Sequence, residues 1–284
     1  MRAHRADRLD TESRRKHPVG GFGRWIRSPQ RPCPPTGRAH AVRKNCAMLQ
    51  VCLNGVRAKQ AHPSVPHTAD ELAEAARGAV AAGAEEIHLH PKDPGGRDTL
   101  DAEAVSAALT LVRAAVPGVP IGVTTGAWIE TDPSARVKLV RSWTVLPDYA
   151  SVNWHEDGAE DIARALLERG VAVEAGIFSG TDAPATFLAS SPAPEVLRIL
   201  AEVTDPDPRT ANETAAHLLR ALGPKPPARV LLHGEDAGAW PVLREALLLG
   251  LDCRIGLEDV LTQPDGTQAK DNAALVAAAN AMRP

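Results

Sequence analysis

Residues 68–90 read TADELAEAARGAVAAGAEEIHLH, a helix followed by the strand it delivers. Thr68 and Glu71 stand at capping-box spacing, where each side chain satisfies a backbone N–H that a helix start leaves free. The alanine-rich run stops at Gly83, the residue type best suited to the left-handed backbone just past a helix end. EEIHLH is then short enough for a strand. This unit recurs along the chain. MLQVCL, EEIHLH, PIGVTT, YASVNW, VAVEAGIF, EVLRILAEV, ARVLLHG and CRIGLED read as strands, with Ala- and Leu-rich helical stretches between them. The fifth crossover, TDAPATFLASSPAP, is the weakest, being short and carrying three prolines.

Strict β/α alternation requires a parallel sheet with helical crossovers. Eight units within residues 48–284 favour a closed (β/α)8 TIM barrel over an open doubly wound sheet. A dinucleotide-binding fold would place GxGxxG after an early strand, and the first turn is NGVRAK. No linker divides the segment, so 48–284 is expected to be one catalytic domain.

The 284-residue chain has a formal charge of −3 that hides an asymmetry. Residues 1–47 hold twelve Lys/Arg against three Asp/Glu, leaving 20 basic and 32 acidic residues in the remainder. That Arg/Pro-rich stretch has no apolar periodicity and is expected to be a disordered extension, ahead of a nucleic-acid arm or a transit peptide. The acidic remainder argues against nucleic acid as a partner, because phosphate binding needs a basic surface. No apolar run approaches a membrane span. Four cysteines without a framework spacing suit a reducing compartment, and a cytoplasmic location is expected.

In such barrels the active site lies at the C-terminal ends of the strands. The polar residues expected there begin with Asn54-Gly55-Val56-Arg57, His88-Leu89-His90 and Thr124-Thr125-Gly126. Ser151-Val152-Asn153, Glu174, His233, Glu235 and Arg254-Ile255-Gly256-Leu257-Glu258-Asp259 complete the set. Two imidazoles on one strand face can converge on a divalent ion, or serve as structural hydrogen-bonding residues. A catalytic zinc site would need a third ligand, for which Glu258, His155 and His233 are candidates. Arg254 beside Glu258 and Asp259 suits a general base and a structural ion pair equally. Thr124, Ser151 and Asn153 offer neutral donors for a carboxylate or oxyanion, whereas Thr125 reads as an ordinary strand former. Trp128 and Trp154 are candidate pocket walls. Asp93-Pro94-Gly95-Gly96-Arg97 reads as a turn.

HLHPKD, VTTG, SVN and RIGLED together resemble the β-keto acid cleavage enzymes, typified by the 3-keto-5-aminohexanoate cleavage enzyme. The resemblance runs from about Met48 to the C-terminus. It implies a divalent cation, usually zinc, on His88, His90 and Glu258. It also implies acetyl-CoA as co-substrate: a β-keto acid and acetyl-CoA give acetoacetate and a new acyl-CoA. Asp259, oriented by Arg254, would be the base, with Thr124, Ser151 and Asn153 on the substrate carboxylate. Family members commonly assemble as homo-oligomers, dimers or tetramers. Two departures stand out. Lys92 replaces a frequent arginine, and Arg57 and Gly176 stand where members with amino-substituted substrates carry acids. Arg57 would repel an ammonium, so the substrate is expected to lack an amino group. The competing reading is a metal-dependent TIM-barrel hydrolase of the amidohydrolase type, which usually carries HxH on its first strand and further histidines later.

Overall fold

The computed structural model describes residues 47–283. The expectation of a disordered extension over residues 1–47 therefore falls, but for Ala47, outside the described residues. Helix α1 (Ala69–Ala81) carries the signature with which the sequence opened. Thr68 Oγ1 accepts from the Glu71 N–H at 3.2 Å, and a Glu71 carboxylate oxygen accepts from the Thr68 N–H at 3.2 Å. At the other end Gly83 has φ +108°. Its N–H donates to Val80 O, and the Ala84 N–H reaches back to Ala79 O, both at 3.0 Å. This double closure satisfies carbonyls that a helix end leaves free.

The elements then alternate without exception. They are β1 (Leu49–Cys52), α1, β2 (Glu86–Leu89), α2 (Ala102–Ala115), β3 (Ile121–Val123), α3 (Pro133–Ser142), β4 (Tyr149–Asn153) and α4 (Ala159–Glu168). The second half has β5 (Ala172–Phe178), α5 (Ala183–Ala189), β6 (Arg198–Val203), α6 (Ala211–Ala221), β7 (Arg229–Gly234), α7 (Ala239–Leu249), β8 (Asp252–Ile255) and α8 (Asn272–Ala281). Each strand pairs in parallel with the next, and β8 pairs with β1 to close the barrel. The weak fifth crossover is the seven-residue α5. EVLRILAEV is strand only from Arg198, because Ala193–Glu195 forms a 3₁₀ turn.

Period-two alternation splits every strand between two environments. One set, including Val51, Ile87, Val123, Val173, Ile199 and Leu232, packs with the helices in the main apolar core. The other set fills the barrel interior, where bulky branched residues are usual. Here only Met48, Leu200 and Leu231 form a separate small apolar cluster, and the floor is polar. Gln50 Nε2 donates to Tyr149 OH at 2.9 Å and to Glu174 Oε1 at 3.0 Å. Tyr149 OH donates in turn to Ile87 O at 2.6 Å. Arg198 Nε holds Glu174 Oε1 at 2.6 Å, its guanidinium pairs with Glu86, and it lies 4.8 Å from the Tyr149 ring centre. Burial pushes the Glu174 carboxyl up, but Arg198, with His88 and Arg254, more than offsets this and holds it below the ordinary range.

Gly256 is the closing point of the barrel. A Cβ there would run into the Cys52 carbonyl of β1, the oxygen that accepts the Glu258 N–H at 3.2 Å. Asn272, at the start of α8, ties the same seam: it donates to Leu53 O and accepts from the Leu257 N–H. Among the described residues no helix is long and apolar enough to cross a membrane.

Candidate active site

The register sets Cys52 opposite His88, and the β8–β1 seam carries Glu258 over the end of β1. Hence the histidines and the glutamate meet, two strands apart around the barrel. His88 Nε2 lies 3.9 Å from Glu258 Oε2, and His90 Nε2 lies 3.7 Å from Glu258 Oε1. One ligand atom from each of the three falls within 4.8 Å of the others. These separations are too long for hydrogen bonds, yet two ring nitrogens and a carboxylate face one point. Glu258 Oε2 is buried with no hydrogen-bond partner among the described residues. Burial lowers His88 to about 4, so it presents a neutral imidazole near pH 7. For Glu258 burial acts upward, but Arg254, His90 and His88 overcome it and keep the carboxylate ionised. Such a donor set fits a divalent cation.

His155 and His233 do not join this cluster. His155 is exposed and packs edge-on to Phe178 at 4.4 Å. His233 faces Glu202 and Asp259 instead. The further histidines that a hydrolase of the amidohydrolase type would bring to the HxH pair are therefore elsewhere.

Two asparagine-glycine features explain how the ligands are held. Asn54 clamps the backbone of His90, accepting from its N–H and donating to its carbonyl, both at 2.9 Å. Gly55 adopts φ +53°, and a Cβ on it would strike the Glu258 side chain. His90 Nδ1 meets Asp98 Oδ2 at 3.0 Å. Asp98 is reached because the turn after His90 folds back, with Lys92 bridging to Asp98 in antiparallel fashion. Lys92 Nζ pairs with the Asp98 carboxylate and also donates to Gly55 O. Asp93 caps that turn through the N–H groups of Gly95 and Arg97. The turn reading of residues 93–97 thus holds.

Arg254 lies across both carboxylates of the β8 loop. Its Nη2 is 2.9 Å from Glu258 Oε1 and 2.7 Å from Asp259 Oδ1. Asp259 is sealed, and its Oδ2 has no partner among the described residues. Burial raises Asp259 despite Arg254. An unpartnered carboxylate oxygen on the residue next to Glu258 is suited to taking a proton.

The remaining candidates divide. Thr124 Oγ1 accepts from the Gly126 N–H at 3.2 Å and keeps its own hydrogen free. Ser151 is buried in the middle of β4. Asn153 donates Nδ2 to Glu156 Oε1 at 2.9 Å, and Glu156 pairs with the buried Arg136. That anchor turns Asn153 Oδ1 toward Gly176 and Glu202. Asn153 thus presents Oδ1, and a second Nδ2 hydrogen remains beyond the bond to Glu156. Thr125 donates to Ser151 O at 2.6 Å, the structural part expected of it. Trp128 is 49% exposed and stacks on His90 at 5.8 Å, as a wall would. Trp154 is instead buried against Phe187 at 5.0 Å, on the helix side of the barrel. Arg57 is held by Glu258 O at 2.8 Å and by Asp236 Oδ1 at 2.6 Å, so its charge is partly matched.

Asp98, Glu202 and the clamping role of Asn54 escaped the sequence reading. Glu202 is buried at the upper end of β6, 3.2 Å from His233 Nε2. Burial pushes its carboxyl up to about 8. The signal was present: Arg198, Leu200 and Glu202 alternate, which aims Glu202 into the barrel with Arg198.

Comparison with known proteins agrees with this architecture. The model of a family described as beta-keto acid cleavage enzyme matches residues 47–283. The chain is 28% identical over 130 residues to the 3-keto-5-aminohexanoate cleavage enzyme of Fusobacterium nucleatum, covering 42% of this chain and 48% of that enzyme. The match thus spans about half the length of that relative. The enzyme of the same name from Acetoanaerobium sticklandii is 23% identical over 242 residues, 77% of this chain and 84% of that one. Among solved structures, ObcA in binary complex with oxaloacetate superposes with a TM-score of 0.59 at 18% identity, covering 77% of this chain and 63% of ObcA. A type I 3-dehydroquinate dehydratase from Clostridium difficile gives 0.59 at 10% identity, covering 84% and 91%. At such identities these structures speak to the barrel fold.

Proposed function

The chain belongs to the β-keto acid cleavage enzyme family, and on that premise we propose that it exchanges a β-keto acid with acetyl-CoA. The products are acetoacetate and a new acyl-CoA. The observation that carries this reading is the convergence of His88, His90 and Glu258, with the residue next to Glu258, Asp259, keeping its Oδ2 unpartnered. These three residues would hold one divalent cation, zinc in the reading adopted here. When bound, such an ion supplies a Lewis acid that polarises the β-ketone. Asp259 takes the proton that must leave for a carbon nucleophile to form, and Arg254 fixes its Oδ1 so that Oδ2 faces the substrate. The Thr124 and Ser151 hydroxyls donate to the substrate carboxylate. Asn153, whose amide keeps one Nδ2 hydrogen beyond Glu156, joins them there.

Arg57 places a cation at the mouth, and a substrate ammonium would meet it there. Its pairing with Asp236 weakens that repulsion without removing it. The substrate is accordingly read as lacking an amino group. ObcA, solved with a C4-CoA adduct and oxalate, supports small carboxylates and CoA compounds as the ligand class. In the same reading residues 48–284 are the catalytic domain, residues 1–47 lie outside it, and the protein works in the cytoplasm as a homo-oligomer.

The test is to incubate the protein with acetyl-CoA and a panel of β-keto acids while measuring acetoacetate. Acetoacetate should form only when acetyl-CoA is present, and amino-free substrates should lead the panel. Arg57→Glu should shift preference toward amino-substituted acids by about tenfold, roughly the 1.4 kcal/mol of a partly screened charge reversal. Acetoacetate formed without acetyl-CoA would overturn the exchange, and an unmoved preference would remove Arg57 from the pocket.

A further inference from the structure

Around the cation point, the two histidines are supported differently. His88 Nδ1 is buried and has no hydrogen-bond partner among the described residues. His90 is fixed at both levels: Asn54 clamps its backbone and Asp98 receives its ring. Resting on the cation-site reading above, we propose that Asp98 is the positioning residue of this site: it holds His90 in the Nδ1–H form and aims Nε2 at Glu258.

Three contacts to the Asp98 carboxylate, from His90, Lys92 and Trp128, carry the inference. The Asp98 carboxylate lies 3.0 Å from His90 Nδ1; an ionised carboxylate only accepts, so that nitrogen must donate and Nε2 must carry the lone pair. The Asp98 side chain is buried, and two further donors, Lys92 and Trp128, point at its carboxylate. Lys92, whose side chain is almost wholly buried, pins the other carboxylate oxygen and anchors itself on Gly55 O. Trp128 Nε1 donates to the same Oδ2 at 2.8 Å while its ring lies over His90 at an interplanar angle of 20°. The Asp98 carboxylate therefore joins a cation ligand, the glycine that makes room for Glu258 and the exposed pocket wall. A carboxylate behind a ligating imidazole also raises its donor strength, and losing such a partner commonly weakens metal affinity ~10–100-fold.

The experiment uses full-length protein stripped by chelation, with Zn2+ titrated against a chromophoric competing chelator. Asp98→Ala should weaken binding ~10–100-fold. Asp98→Asn, which still offers an oxygen to Nδ1–H, should fall between Asp98→Ala and the wild type. Asp93→Asn disturbs the same turn without touching His90 and should bind as the wild type does. Loaded with Co2+, Asp98→Ala should show shifted visible ligand-field bands, a change that mere loosening of the turn would not give. Equal affinity in wild type and Asp98→Ala would overturn the inference, as would an equal loss in Asp93→Asn. A wild type that binds no divalent ion would instead overturn the cation-site reading itself, so the two failures are distinguishable.

Discussion

The floor and the mouth of this barrel are built from the same kinds of residue and finished to different degrees. On the floor, Gln50, Tyr149, Glu86, Glu174 and Arg198 form one network, in which only Glu174 Oε2 is buried without a partner among the described residues. At the mouth, His88 Nδ1, His233 Nδ1, Glu258 Oε2 and Asp259 Oδ2 are all buried without partners. A buried polar atom left unpaired costs about 1–3 kcal/mol. Four of them within one cluster mean that the mouth sacrifices stability that the floor retains. The difference teaches where chemistry is held: the floor fixes the strands, and the mouth leaves polar atoms unpaired around the site to which the proposed function assigns a cation and a substrate.

The comparison breaks most readily at Arg198. Arg198→Met leaves Glu174 and Glu86 without their cation, Glu174 fully buried, and should lower unfolding free energy by about 3–5 kcal/mol in urea titration. Metal affinity of the molecules that remain folded should not change, since Arg198 touches no candidate ligand. A loss below about 1 kcal/mol would show that the floor is no more than filler.

A smaller effect sharpens the mouth. Burial raises Glu202 to about 8 from an ordinary 4.5. Between those values the folded chain keeps a proton that the unfolded chain releases, so stability falls as pH rises through that window. Glu202→Gln cannot titrate, and its melting temperature should gain on the wild type steadily from pH 5 to pH 8. Parallel curves for the two proteins would mean that Glu202 is ionised in the folded state.

How far the sequence announced all this depends on the range of each interaction. Thr68, Glu71 and Gly83 act within one helix, and their caps form as read. The eight β/α units were legible for the same reason, and barrel closure then set His88, His90 and Glu258 together. Asp98 was hidden because its partner is chosen by how a turn folds back, not by strand register. Glu202 was hidden inside an apolar run, since a barrel strand has an interior face as well as a helix-facing one. Asn153 lay at the expected place, but Glu156 and Arg136 decide which end of its amide faces the pocket. Trp154 was misplaced by the same ambiguity of facing: it packs on Phe187 under α5.

The claim at the centre is that the mouth is completed by a cation on His88, His90 and Glu258. Metal content after dialysis against trace Zn2+, measured on wild type and Glu258→Gln with apo-form melting as a folding control, tests it most directly. The expected result is one ion per wild-type chain, almost none on Glu258→Gln, and similar melting of the two apo proteins. A wild type without metal, or a Glu258→Gln variant that retains a full equivalent, would contradict it.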